Sequence, residues 1–224
     1  YKKNLSINLN KESYLKILTE NDFSKDYLNW MKDYEITKFT EQSDVSHNTQ
    51  NLKKFVKEKL ISSSDLLFGI YVQSKHIGNI KLGPISWKHL SSDVSYIIGN
   101  KEFWNKGIAT LAVSKIVEFG FKELGLKKIN AGYYENNIGS KRVLSKCGFI
   151  VEGIRKNEIL FENKRINQIL VGISCEKDEE ESVSSTAKPI TCQMILEELE
   201  VESFDAVDLG DFSASCDSAV ITIA

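Results

Sequence analysis

The sequence predicts an α/β (α+β) fold with a mixed, mostly antiparallel central sheet, one parallel strand pair and helices on both faces. Three observations predict it. Short apolar runs of strand length alternate with stretches of 3.6-residue periodicity. A strand, helix, strand, helix order runs through the middle of the chain, which requires at least one parallel crossover. Strand pairs with short connections flank that crossover on both sides.

The elements follow in order. Residues 14–18 read as a first strand, and Asn21 or Asp22 is placed to cap a helix over 23–31 whose apolar face carries Phe23, Tyr27, Leu28 and Met31. A loop with Glu41 and His47 leads to a second helix through Leu60, capped by Asn48 or Thr49 and carrying Leu52, Phe55 and Val56 on one side. Residues 66–72 and 76–82 form a hairpin across Gln73, Ser74 and Lys75, and 94–98 is the next strand. A helix runs from Gly107 to about Leu124, with Glu118 set four residues before Lys122, and Gly125 ends it. A strand over 128–134, a helix over 137–147 and, after Gly148, strands over 149–155 and 164–173 complete the body.

The stretch 94–110, VSYIIGNKEFWNKGIAT, carries the clearest chemistry. A strand breaks at Gly99, and the turn Asn105, Lys106, Gly107 opens a helix at Ile108, Ala109 and Thr110. The first amides of a helix have no intrahelical partner, and the macrodipole adds positive charge there, so phosphates bind such a turn. Glycine allows the backbone to approach the ligand closely.

Composition is ordinary for a globular chain of 224 residues, 42% hydrophobic and 27% charged. No apolar run approaches the ~20 residues of a membrane span, so a cytoplasmic protein without a membrane partner is expected. Cys147, Cys175, Cys192 and Cys216 are widely spaced, with no metal-ligand pattern; reduced thiols and no metal are expected. Charge is uneven. Of 29 basic and 31 acidic residues, only two lysines but 13 carboxylates follow residue 175, leaving 27 basic against 18 acidic before it, a body of about +9. Such a body favours a polyanionic small ligand such as a nucleotide. Nucleic acid is not expected, because no basic run is interleaved with stacking aromatics. Three segments result: a domain over 1–175, an acidic, serine-rich linker over 176–189, and an acidic tail or fragment of a second module over 190–224. A homodimer, or a partner held through the acidic tail, is the remaining expectation.

The motifs Trp104-Asn105-Lys106-Gly107-Ile108-Ala109-Thr110, Asn137-Ile138-Gly139-Ser140 and Lys146-Cys147-Gly148-Phe149, in this order and spacing, resemble the GNAT superfamily of acyl-CoA-dependent N-acyltransferases. Tyr27-Leu28-Asn29-Trp30-Met31 and the segment 165–173 are similar to the branch containing ribosomal-protein N-terminal acetyltransferases and nucleotide-amino-sugar acetyltransferases. The resemblance covers roughly residues 12–174 and implies acetyl-CoA as cosubstrate. Its pyrophosphate would lie on the amides of Lys106 to Thr110, and its pantetheine arm in a slot where the break at Gly99 splays two parallel strands. Asn137 and Ser140 would supply polar contacts, and a backbone N–H near Ile98 would polarise the thioester carbonyl. Without the resemblance, Asn137 reads equally as a helix cap.

An amine with a pKa near ~10 must lose a proton before it attacks. Asp93, where many relatives carry an acidic residue, is the first candidate for the base, although it also reads as a turn residue after Ser91 and Ser92. Tyr134 and Glu135 come second. Glu41 and His47 lie in a loop that borders the acceptor pocket in relatives, and a lone loop histidine is ordinarily solvated. Leu144 stands where many members place the tyrosine that protonates the leaving thiolate. The expected activity is acetyl transfer to a primary amine by direct attack, with a nucleotide-linked amino sugar as acceptor. The alternatives are an N-terminal peptide amine, a CoA-binding interaction module without turnover, and nucleotide binding without CoA.

Overall fold

A computed structural model describes residues 2–43 and 45–175; the expected linker, the tail, Cys192 and Cys216 lie outside them. Eight strands form one sheet: β1 (Ser6–Asn8), β2 (Ser13–Ile17), β3 (Leu66–Val72), β4 (Lys75–Ser86), β5 (Ser91–Ile98), β6 (Lys128–Tyr134), β7 (Ile150–Phe161) and β8 (Lys164–Ser174). Their order is β1-β2-β3-β4-β5-β6-β8-β7. All neighbours are antiparallel except β5 and β6.

Among the described residues, five α-helices cover the sheet: α1 (Lys25–Lys32), α2 (Tyr34–Thr37), α3 (Thr49–Ile61), α4 (Ile108–Lys122) and α5 (Ile138–Lys146). Side chains alternate across a strand, so β5 sends Val94 and Tyr96 to one face and Ile97 to the other. The first face packs on Ala112, Val113, Ile116 and Val117 of α4 and Leu144 of α5. The second packs on Tyr27, Trp30 and Met31 of α1, Ile36 of α2, and Leu52 and Val56 of α3.

Several local expectations change. Ser24, not Asn21 or Asp22, caps α1, its hydroxyl accepting from the Tyr27 amide. Asp22 instead closes a capping box with Thr19 on a preceding 3-10 turn. Asn48 caps α3 as expected. Two elements were not expected: β1, and the single turn α2, which Asp33 caps. β4 continues past Leu82, where the strand was expected to end, through a one-residue shift at the cis Gly83-Pro84 bond.

Gly99 has a different role from the expected one. It does not begin the splay; the Trp30 ring packs directly on it, and a Cβ there would overlap the ring. Gly99→Ala is therefore expected to lower stability by about 1–3 kcal/mol or more through overpacking, read as an earlier midpoint in denaturant unfolding. An unchanged midpoint would show that Trp30 gives way freely.

Candidate active site

Parallel pairing between β5 and β6 covers three residue pairs, Ser91 with Lys128, Ser92 with Ile129 and Asp93 with Asn130. Beyond Asp93 the strands diverge while β5 keeps its ladder to β4 through Ile98, and β6 keeps its own to β8 through Tyr134. Two strand edges face each other there without a ladder, which suits an extended chain bearing amides. The slot thus opens five residues before Gly99. The Gly99 amide donates to the Ile77 carbonyl at 2.9 Å. Antiparallel alternation then turns the Ile98 amide away from β4, toward the slot. The Ile98 carbonyl accepts from the Trp104 indole at 2.7 Å.

At the open end of this slot begins α4. Asn105 (φ 59°) and Gly107 (φ 80°) both adopt the left-handed conformation, which only glycine takes without cost. Gly107 is the N-cap, and no side chain caps the helix; α1, α2, α3 and α5 are each capped by a side chain. The α4 amides at 108–110 are thus left to an outside acceptor. Asn105, Lys106 and Gly107 are exposed, and Ile108, Ala109 and Thr110 half-buried. A Cβ on Gly107 would meet nothing within 4 Å. The donor set, free amides beside Lys106, fits a pyrophosphate. The Trp104 amide lies outside this donor set, because it is bonded to the Lys101 carbonyl at 3.1 Å. Behind the cradle, the Cys147 thiol donates to the Thr110 carbonyl at 3.4 Å, and burial pushes that thiol up to about 11.

The candidate polar residues occupy separate places. Asn137 caps α5, its carboxamide oxygen accepting from the Ser140 amide at 3.0 Å. The Ser140 hydroxyl meets the Tyr96 hydroxyl at 3.0 Å across the slot. Leu144, buried in the core, offers no proton donor. Asp93 sits at the closed end of the slot, on the same face as Ile97. Burial raises its carboxyl above the ordinary value, with Lys81 and a hydrogen bond from Asn130 pulling the other way. Tyr134 lies at the open end, four residues along β6 from the partner of Asp93, roughly 13 Å away at strand rise. The Tyr134 hydroxyl donates to Glu41 at 2.7 Å, and its ring packs edge-on against Phe39 and Phe161. Both Glu135 oxygens are taken by Asn167. His47 is buried rather than solvated, donating from Nε2 to the Gln42 carbonyl at 3.1 Å.

A cavity of about 320 Å³ lies between the sheet and α1 and α3, with His47 of the loop expected to border the acceptor pocket in its lining; sequence reading missed its floor. Its walls are largely apolar, including Met31, Leu52, Phe55 and Ile97. Its sheet side carries Asn79, Lys81 and Ser95. Strand residues of alternating pattern gave no local signal of this, since register alone brings them together.

A family model described as an acetyltransferase (GNAT) domain matches residues 14–150. The chain belongs to the GNAT family. The curated relatives include two proteins of Bacillus subtilis (strain 168). The probable N-acetyltransferase YjcK is 39% identical over 104 residues, which are 45% of this chain and 58% of that protein. The uncharacterized N-acetyltransferase YoaA is 36% identical over 87 residues, 39% of this chain and 48% of that one. The chain thus spans about half the length of these relatives. Spermidine N-acetyltransferase from Vibrio cholerae, solved with CoA and spermine, has TM-score 0.67 over 74% of this chain and 96% of its own, at 21% identity. That likeness shows a GNAT fold. Among the described residues of the GNAT chain, no helix is long and apolar enough to cross a membrane.

Proposed function

We propose that this GNAT chain transfers an acetyl group from acetyl-CoA to a primary amine by direct attack in a ternary complex. The observation that carries the reading is the slot between β5 and β6 ending at the uncapped, left-handed start of α4. Asn105, Lys106, Gly107, Ile108, Ala109 and Thr110 bind the pyrophosphate, and the Ile98 amide faces the thioester oxygen as charge develops on it. Asp93 takes the proton of the attacking amine through water, since Ile98 lies five residues, roughly 16 Å at strand rise, along β5 from it. The nitrogen bonds to the thioester carbon, the carbon–sulfur bond breaks, and the thiolate leaves as such, taking its proton from solvent because Leu144 supplies none. Asn137 and Ser140 hold α5 and the slot wall. Tyr134, paired with Glu41, is the alternative proton acceptor at the open end.

For the acceptor, the cavity beside Ser95 favours a small amine with an apolar body. Its volume lies near the lower end of the usual 300–1,000 Å³ for ligand pockets. A nucleotide-linked amino sugar, the acceptor favoured from sequence, fits less well, because a cavity of about 320 Å³ is small for so large a ligand. An acceptor screen reading thiol release from acetyl-CoA decides: turnover of amino-sugar nucleotides or N-terminal peptides, with small amines inert, would reject this choice. Leu144 favours one rival, a CoA-binding module without turnover. Calorimetric CoA binding with no amine acetylated would establish it.

We also propose that the body folds without residues 176–224. Truncation after Cys175 is expected to leave the melting temperature within a few degrees and CoA affinity unchanged. Loss of cooperative melting would move the boundary.

A further inference from the structure

We propose that Lys81, Ser95 and Asn79 form a carboxylate-binding floor in the cavity beneath α3, so that the acceptor is an α-amino acid with an apolar side chain. This rests on the acetyl-transfer reading above and names the substrate class for the same site.

The floor is set by register. Leu67 pairs with Lys81 and Lys81 with Ser95 across β3, β4 and β5, while Asn79 pairs with Ile97 one pleat away. Side-chain alternation sends this set to the face covered by α1 and α3. Ser95 is 4% exposed, and its buried hydroxyl has no hydrogen-bond partner among the described residues. A buried hydroxyl without a partner is unfavourable, and a ligand oxygen would satisfy it. Lys81 is also buried, and its ion pair with Asp65 is loose at 3.9 Å, beyond the 2.7–3.2 Å of a hydrogen bond. Its ammonium therefore keeps donors to offer. The Asn79 oxygen is engaged by the His76 ring at 2.8 Å, which leaves its NH2.

An ammonium, a hydroxyl and an amide NH2 are all donors, and together they match the lone pairs of a carboxylate. Lys2, Lys59 and Lys81 cluster about Asp65, with Asp93 nearby. The cavity also carries Glu58, exposed on the α3 wall and 3.9 Å from Lys54, so the charges close to the floor leave room for one anion. Around the floor stand Met31, Val45, Leu52, Phe55 and Ile97, which suit an aliphatic or aromatic side chain.

The place is right for the chemistry. Ser95 lies two residues beyond the last parallel pair, about 7 Å along the strand from Asp93. An α-amino acid carries amine and carboxylate on one carbon. Anchoring the carboxylate at Lys81 and Ser95 therefore holds the amine within a few ångströms of Ser95, between Asp93 and the Ile98 amide on β5.

The test compares L-leucine and L-phenylalanine with their amides and with the decarboxylated amines, isopentylamine and phenethylamine, at saturating acetyl-CoA. At least one amino acid is expected to show kcat/KM about 100-fold above its two carboxylate-free analogues. Lys81→Met should lower that preference at least tenfold through KM, read as the ratio of amino acid to decarboxylated amine so that any change at Asp93, which Lys81 faces, cancels, while leaving the KM for acetyl-CoA unchanged. Ser95→Ala should act in the same direction by about fivefold, and serves alone should Lys81→Met melt early. Equal turnover of all three forms, or a preference untouched by both variants, overturns the floor. If no amine reacts, the transfer reading falls. The floor is then judged by calorimetric binding of the two amino acids, and either no binding or binding unchanged in Ser95→Ala overturns it.

Discussion

Gly107→Glu is expected to weaken CoA binding at least a hundredfold, measured by titration calorimetry. Two effects add. At φ 80° a side-chain-bearing residue costs about 1–2 kcal/mol to hold left-handed, so the cradle either strains or relaxes away from the ligand. The new carboxylate then sits at the helix start beside a dianionic pyrophosphate. Like charges about 4 Å apart repel by roughly 1 kcal/mol in water and roughly 4 kcal/mol at a protein surface. Gly107→Ala separates the two, because its Cβ meets open space. It should show the backbone share alone, a loss of about tenfold. Equal affinity of wild type and Gly107→Glu would remove this turn from donor binding.

Asp93→Asn is expected to lower kcat by about 10²–10⁴, the usual range for loss of a general base, with opposite effects on activity and stability. The Asp93 carboxyl is raised by burial. As base it must be ionised, so wild-type activity should fall as pH drops through that raised value, above the ordinary ~3.9. In the variant this acid limb disappears, and residual activity climbs with pH as the amine itself deprotonates. Stability has the reverse sign. A carboxyl raised on folding contributes fully below its unfolded pKa, and that contribution is lost as pH rises through the folded value. The neutral carboxamide of the variant avoids the loss while keeping a hydrogen-bonding group beside Asn130. The variant should therefore melt above wild type at neutral pH and no higher at acid pH. Tyr134→Phe is the control. It removes the bond to Glu41 without touching the closed end of the slot, and should leave the acid limb in place. A wild-type pH profile in Asp93→Asn would transfer the base elsewhere.

What the sequence made legible was local. β3 and β6 fall where their apolar runs end, α4 starts at its glycine, and Asn48 caps α3, because each depends on a few neighbouring residues. The missed parts depend on distant ones. β1 is three residues long and exists by pairing with β2. β7 continues past Arg155 through the charged residues Lys156 and Glu158, which read as loop, because the β8 ladder carries it to Phe161. Ser24 took the cap from Asp22 because Asp22 closes onto Thr19 and Lys16. At the site the same division holds. The anion cradle is one contiguous turn and was visible in the residues themselves. The Tyr134–Glu41 bond joins positions 93 residues apart, and the floor of Asn79, Lys81 and Ser95 needs the register of two strands, so neither left a pattern in the chain.

The brief pairing of β5 with β6 has a mechanical consequence. The sheet is two leaves, β1 to β5 and β6 to β8, stitched by three residue pairs and backed by α4 and α5. A thioester arm bonded to both edges would act as the missing seam. Amide exchange along the inner edges should slow on CoA binding far more than in β2 or β3, and thermal stability should climb with CoA concentration as mass action requires. In this molecule the ligand would complete the architecture as well as enter it.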